Sequence, residues 1–263
     1  MNKGKIIVAG IGPGSEADIT PAVLAAIQSS DVIIGYKYYF RFITHLLREG
    51  TECIDTGMKR EQARAEQAFA YANEGKTVCV ISSGDAGIYG MTPLIYEMKK
   101  ESGSEIEIES YPGISAFQKA ASLLGAPIGH DFCVISLSDL MTPWELIEKR
   151  IHAAAMADFV TAIYNPKSEG RYWQLYRLKE LFLQERKPET PVGYVRQAGR
   201  EGLFWPPSVF CLSLRSGIRL ASPRVSCPLC RCVRRNSLCQ DDFLSPDAKF
   251  RDAFLYFSTV KGY

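Results

Sequence analysis

Histidine is scarce in this chain: His45, His130 and His152 stand alone among 263 residues and far apart. Metal centres or nucleophile–base pairs built on imidazole therefore have little to draw on. An excess of one charge is missing too. Lys and Arg number 31 against 29 Asp and Glu, for a formal net charge of +2. That balance supplies no basic surplus for a nucleic-acid backbone and no acidic excess of the kind that keeps a chain unfolded. No uninterrupted apolar run approaches the roughly 20 residues a membrane-spanning helix needs. Met1-Asn2-Lys3-Gly4-Lys5 leads straight into a short apolar stretch, without the apolar core and small-residue cleavage site of a signal peptide. These absences predict a soluble, cytoplasmic protein that binds neither nucleic acid nor membrane.

What is present is apolar content, 46% of the chain. That suffices for one large α/β domain or two modest ones, each with its own core. The first half alternates strand and helix signals. Lys5 to Ala9 is a short β-rich run ending in glycines. Thr20 and Pro21 have the chemistry of a helix start, a hydroxyl cap followed by a proline in the first turn. Asp31 to Gly35 reads as a second strand. Glu61 to Asn73 is rich in Ala and Glu and stops before Glu74-Gly75, as a helix does. Lys76 to Ile81 is a strand, about Pro93 to Lys100 a helix, and Glu105 to Glu109 an alternating, half-exposed strand. Such repeated units predict a parallel sheet with helices on both faces.

Tyr111-Pro112-Gly113 interrupts the pattern and marks the expected boundary between residues 1–112 and 113–263. A second α/β series follows: strands at Phe132–Leu137, Phe159–Tyr164 and Pro191–Val195, helices at Pro143–Ala155 and Arg171–Arg186. No internal repeat is evident.

In parallel α/β sheets, ligands bind at the carboxyl ends of strands. Three glycine-bearing loops fall there. Gly10-Ile11-Gly12-Pro13-Gly14-Ser15 lacks the spacing of a dinucleotide fingerprint, and Pro13 brings no N–H to a phosphate. No Gly-Lys-Ser/Thr follows, so a Walker loop is excluded. Ser82 to Met91 holds three glycines around Asp85. Its backbone can be approached closely, and Asp85 either accepts from a ribose or amine or caps the next helix. Tyr111-Pro112-Gly113-Ile114-Ser115-Ala116 is a strand end feeding a helix, or a plain turn with Ser115 as its cap.

Taken in order, G-x-G-P-G, S-G-D-x-G-x-Y-G and P-G-I-S-A resemble the tetrapyrrole methylases, the class III methyltransferases of corrins and uroporphyrinogen. The resemblance covers roughly residues 3 to 202. It is strengthened by Tyr164-Asn165-Pro166 and by Gly193 to Arg200. Gly35-Tyr36-Lys37-Tyr38-Tyr39, Ser136 to Glu145 and Tyr164 to Ser168 look like the C17-methylating, ring-contracting branch.

The resemblance implies two α/β domains with a cleft between them and a homodimer. It implies S-adenosyl-L-methionine as cofactor, with Gly84, Asp85 and Ile88 at its methionine part and Ser115, Ala116, Tyr164 and Ala198 holding the rest. Gly10, Gly12, Pro13 and Gly14 would line the substrate side. Lys37 and Arg196, with Lys167, Arg171 and Arg200, are candidate partners for the carboxylates of a small-molecule tetrapyrrole. The implied reaction methylates C17 of precorrin-3B, or its cobalt analogue, and contracts the ring to precorrin-4. Ring contraction needs proton management, for which Asp139, Lys37 and Tyr36 are the candidates. Asp139 as a cap of the helix near Pro143, and Lys37 as a solvated helix start, are the competing structural readings. No metal is implied. Another corrin-ring methyl transfer, and cofactor binding without turnover, stay open. An oxidoreductase using the first glycine loop has the wrong loop spacing.

From Leu203 to Gln240 the character changes: the stretch has no Asp, Glu or Lys and is rich in Ser, Arg, Leu, Pro and Cys. No element is assigned to it. Cys53, Cys79 and Cys133 stand singly, as small buried hydrophobes do. The other five of the eight cysteines, including Cys227, Cys230, Cys232 and Cys239, crowd between Cys211 and Cys239. A metal site is one reading, but Cys230 and Cys232 are awkwardly close and no paired CxxC is present. Joint loss of acids and lysines fits translation out of frame between Leu203 and about Phe250. The last strand of the second sheet would then be missing or remade, with weakened stability or activity.

Overall fold

Lys5–Gly10 forms β1, the middle of an apolar layer cake rather than an amphipathic edge. Ile6 and Val8 point into one core, Ile7 and Ala9 into another. A strand buried on both faces needs a continuous apolar run, which is why this one does not alternate. The computed structural model describes residues 4–57, 60–166, 173–196, 198, 208–213 and 253–257, with the backbone alone described at 196, 208–213 and 253–257. The chain divides into two units, the first ending at Ala116 and the second beginning at Phe117.

The first unit is an all-parallel sheet in the order β3-β2-β4-β1-β5. Its other strands are β2 (Val32–Gly35), β3 (Glu52–Asp55), β4 (Thr77–Ser82) and β5 (Glu107–Tyr111). The helices are α1 (Pro21–Ser29), α2 (Lys37–Phe40), α3 (Glu61–Asn73) and α4 (Thr92–Ser102). Val23 and Ile27 of α1 cover one face with Ile33 and Ile81, whereas Ala65, Ala68 and Ala72 of α3 and Ile95 of α4 cover the other with Val32, Ile34, Val78 and Val80. Each such isoleucine contributes on the order of 1.5–3 kcal/mol by leaving water. The alanines let α3 lie close to the sheet. Local signals agree with these positions. Thr20 Oγ1 accepts from the Val23 N–H at 3.3 Å, with Pro21 in the first turn. Gly75 follows α3 in the left-handed region at φ 90°, where a side chain is disfavoured.

The second unit contains α5 (Ala116–Leu123), β6 (Phe132–Ser136), α6 (Trp144–Met156), β7 (Val160–Tyr164), α7 (Trp173–Glu185), β8 (Pro191–Arg196), β9 (Ser208–Ser213) and β10 (Ala253–Phe257). The sheet order is β6-β7-β10-β8-β9. Unlike the first sheet, this one is mixed. β6 and β7 are parallel, but β10 runs antiparallel to both β7 and β8, and β9 antiparallel to β8. Arg196 to Ser208 is too short a connection for the crossover of a dozen or more residues that a parallel partner needs. The stretch after Leu203, to which the sequence assigned no element, contributes β9. A strand therefore closes this edge of the sheet, as the remade alternative allows. Ile147 and Ile151 of α6 and Leu178 and Phe182 of α7 fill the core against Ile135 and Ile163. Arg186, its side chain 1% exposed, closes that core. Its Nη2 donates to the carbonyls of Ala154 at 3.2 Å and Phe159 at 2.6 Å. No helix among the described residues is long and apolar enough to cross a membrane. Cys211 lies on β9, whereas Cys227, Cys230, Cys232 and Cys239 fall outside the described residues.

Candidate functional site

β1 lies between β4 and β5, so the loops leaving these three strands emerge side by side. They are joined through their backbones. The Ile11 N–H donates to Ser82 O at 2.9 Å, Gly12 N–H to Gly84 O at 3.1 Å, and Gly84 N–H to Gly12 O at 2.7 Å. Gly10, Gly84 and Gly113 meet at this junction with no room for a side chain between them. A Cβ on Gly113 would stand 2.3 Å from both Gly10 O and Gly84 O. One on Gly10 would stand 2.6 Å from Gly84 O and 2.7 Å from Gly113 N. Gly12 and Gly84 also take the left-handed conformation, at φ 73° and 70°. Pro13 and Gly14 follow in the same loop, Gly14 with φ 138°.

Asp85 ties the junction together. Its Oδ1 accepts from the N–H groups of Gly87 at 2.7 Å and Ile88 at 3.1 Å, and its Oδ2 accepts from Gly113 N–H at 3.0 Å. A carboxylate has about four acceptor positions, so one remains for a ligand. Asp85 does not cap the next helix; Met91 flanks the start of α4. The carboxylate instead closes its own loop and pins the loop after β5 to it. The Ser82–Met91 loop then turns outward. Tyr89, 55% exposed, adopts φ 54°, an unfavourable conformation for a bulky residue. Ile88 is exposed beside it, and Gly87 is open except toward Asp85 Oδ1 at 3.2 Å. Strained backbone of this kind collects at ligand sites.

The expected cofactor residues of the first unit come together here. A Cβ on Gly84 would stand 3.5 Å from Ala116 N and 3.8 Å from Ser115 Cα, and Ser115 is buried. One strand away, Tyr36 follows β2 and packs edge-on against Tyr39 with centroids 5.4 Å apart. Lys37 starts the short α2 as an exposed residue, and its backbone N–H donates to Asp55 Oδ1 at 3.0 Å. Its side chain is exposed.

In the second unit, Tyr164 ends β7, and its hydroxyl accepts from Phe117 N–H at 3.4 Å. Asn165 follows at φ 52° and donates through Nδ2 to Ser136 Oγ at 2.9 Å, joining the ends of β6 and β7. Asp139 lies in the loop after β6. It is not the cap of α6, a position held by Pro143. Its Oδ2 accepts from Nε2 of Gln174, a buried residue of α7, at 3.2 Å. Ala198 is buried. Arg196 is a backbone partner of Ala253 and Ser208. Lys167, Arg171 and Arg200 fall outside the described residues. Sequence reasoning did not single out Asp55 at the end of β3, nor Gln174 and Arg64 on helices, all of which hydrogen-bond to loop residues. For the two helix residues, a polar residue on an otherwise apolar helix face was the available signal.

These loops suit close backbone contact with a compact ligand, held by carbonyls, N–H groups and one carboxylate, more than nucleophilic catalysis. A family model described as Tetrapyrrole (Corrin/Porphyrin) Methylases matches residues 5–203. The cobalt-factor III methyltransferase of Priestia megaterium is 55% identical over 205 residues, 76% of this chain and 37% of that protein. The chain thus spans well under half of that relative. A probable cobalt-factor III C(17)-methyltransferase of Salmonella typhimurium is 49% identical over 197 residues, 74% of this chain and 80% of that protein. Among solved structures, the methyltransferase CobJ is 31% identical with a TM-score of 0.79, covering 98% of this chain and 95% of that one. The family match stops at residue 203, where acids and lysines vanish from the sequence.

Proposed function

The chain belongs to the tetrapyrrole (corrin/porphyrin) methylases, and on that premise we propose that it transfers a methyl group from S-adenosyl-L-methionine to C17 of a precorrin-3B-type macrocycle, with ring contraction to the precorrin-4 level. The observation that carries this reading is the glycine junction closed by Asp85, which leaves one carboxylate position and an open backbone edge at Gly87–Ile88 for a ligand. Both curated relatives described above are named for cobalt-factor III, which favours the cobalt-containing substrate.

S-adenosyl-L-methionine supplies a methyl group already activated on a sulfonium. The protein therefore has to place donor and carbon acceptor in line rather than form a covalent intermediate, and placement alone is worth several kcal/mol, up to about 7–11 in favourable cases. Gly84, Asp85 and Ile88 take the methionine part in this reading, with Ser115 and Ala116 alongside. Tyr164 and Ala198 contribute from the second unit. Pro13 and the glycines around it face the substrate, with Lys37 and Arg196 for its carboxylates. Asp139, oriented by Gln174, and Tyr36 handle protons during ring contraction. The working enzyme in this reading is a cytoplasmic homodimer.

Calorimetric titration with S-adenosylhomocysteine, native chain beside Asp85→Ala, tests the cofactor site. Binding near 1 μM, about 8 kcal/mol, is expected for the native chain, with a loss of at least tenfold in the variant. A folded native chain that does not bind would overturn the reading. Incubation with S-adenosyl-L-methionine and either macrocycle, followed by mass spectrometry for one added methyl group, then separates the two substrates.

A further inference from the structure

Helix α3 carries a buried arginine among its alanines. Arg64 is 5% exposed. Its Nε donates to Thr56 Oγ1 at 3.0 Å, its Nη2 to Gly57 O at 3.0 Å and its Nη1 to Met91 Sδ at 3.6 Å. None of these partners is a carboxylate. Burying a guanidinium on neutral partners is unfavourable beside an apolar side chain of similar reach. Core packing alone gives no reason for an arginine here.

The three contacts share a location. Thr56 and Gly57 follow β3, next to Asp55, whose Oδ1 holds both the Lys37 N–H at 3.0 Å and the Gly57 N–H at 2.9 Å. Met91 is the far end of the glycine loop after β4. Its N–H is held by Ser82 Oγ at 3.3 Å, from the loop's near end, and the adjacent Thr92 N–H donates to Ala86 O at 3.0 Å. One rigid, planar group thus reaches from the loop after β3 to the closing residue of the loop after β4. It is linked through Asp55 to the Tyr36–Lys37 turn. A guanidinium can do this because its donors diverge in a fixed fork; a lysine ammonium on a flexible stem cannot serve all three acceptors at once.

We infer that Arg64 is a positioning residue for the Ser82–Met91 loop: it braces the loop from behind in the shape that presents Asp85 and Ile88 to S-adenosyl-L-methionine. The ligand's identity rests on the proposed function; the brace rests on the contacts alone.

The full chain is compared as native, Arg64→Met, Arg64→Lys and Ala68→Gly. Ala68 is buried one turn further along α3, and its replacement weakens the same helix without touching the loops. Two quantities are read: amide hydrogen exchange across Ser82–Met91, and affinity for S-adenosylhomocysteine. Arg64→Met is expected to speed exchange in the loop and weaken binding by roughly tenfold each, the scale of one lost hydrogen bond to a charged group. Arg64→Lys falls between Arg64→Met and native. Ala68→Gly lowers the melting temperature but leaves both quantities near native. Unchanged loop exchange in Arg64→Met, or an equal change in Ala68→Gly, would overturn the brace. If Arg64→Met does not fold, Arg64→Lys is read by the same criteria. A folded native chain that binds no S-adenosylhomocysteine sinks the cofactor reading instead, and the exchange comparison still decides the brace.

Discussion

Replacing Gly113 with alanine adds a single carbon where three loops meet. That carbon would stand 2.3 Å from the carbonyl oxygens of Gly10 and Gly84 and 2.6 Å from the carbonyl carbon of Gly10. Unstrained carbon–oxygen contacts begin near about 3.3 Å, so backbone must retreat by about 1 Å in two directions at once. Every obstructing atom is main chain, and no side chain can swing aside. Overpacking of this kind costs about 1–3 kcal/mol. The same shift stretches the 3.0 Å bond from Gly113 N–H to Asp85 Oδ2, and a hydrogen bond to a charged group contributes about 1.5–3 kcal/mol. Partial loss of both terms gives an expected destabilisation of about 3 kcal/mol. At about 2–4 °C per kcal/mol, melting of the first unit should fall by about 6–12 °C. Thermal unfolding followed by circular dichroism reads this directly. Gly129→Ala is the control. Its Cβ meets nothing nearer than Ala126 O at 3.6 Å, so it should stay within about 1 kcal/mol of native. A Gly113→Ala chain melting within about 2 °C of native would show that the loops can part, and would refute the tight junction.

Two further outcomes follow from the same geometry. Lys5 Nζ donates to Glu109 Oε1 at 2.7 Å, and that bond, followed by the one from the Tyr111 hydroxyl, holds the Glu109 carboxyl below its ordinary value of 4.5. A depressed carboxylate stabilises the fold above its unfolded pKa, and the contribution disappears as pH falls through the lower folded value. The melting gap between native and Lys5→Met should therefore be full above the ordinary carboxyl value of 4.5 and close as pH falls below it; a gap independent of pH would sink the assignment. Arg186→Met removes the donor shared by the carbonyls of Ala154 and Phe159, and should destabilise the second unit by about 1–3 kcal/mol in denaturant unfolding, the cost of leaving buried acceptors unpaired. No loss would mean that water takes over both carbonyls.

Elements whose signal is local were legible in the sequence. Helix α3 runs from Glu61 to Asn73, the limits that its Ala–Glu composition and the following glycine imply. Thr20 and Pro21 act as a helix start for the same reason. Strand β5 was placed two residues early, because alternation over Glu105–Glu109 marks a half-exposed strand but not its ends; those come from pairing with Lys5 to Ala9 of β1. β3 went unseen because Glu52 to Asp55 is a short edge strand without apolar periodicity. At the site, the glycine loops were legible as loops. The work of Asp85 was not, since its partner Gly113 lies 28 residues away in sequence. Nor could one chain's residues say that Asp139 meets Gln174 rather than capping α6, because that contact depends on α7 packing beside the β6 loop.

The second sheet is assembled out of chain order, and that has a consequence for how it can be cut. β10 pairs with β7 on one side and β8 on the other. It is the keystone of the sheet, though it comes last of its strands. Ala162 must wait for Tyr256 before the β6–β7 half and the β8–β9 half become one surface, a closure between positions far apart in sequence that favours slow, late completion. Truncation ahead of Ala253 would therefore not trim an edge. It would divide the sheet down its middle and leave two raw strand edges, each open to pairing with another chain.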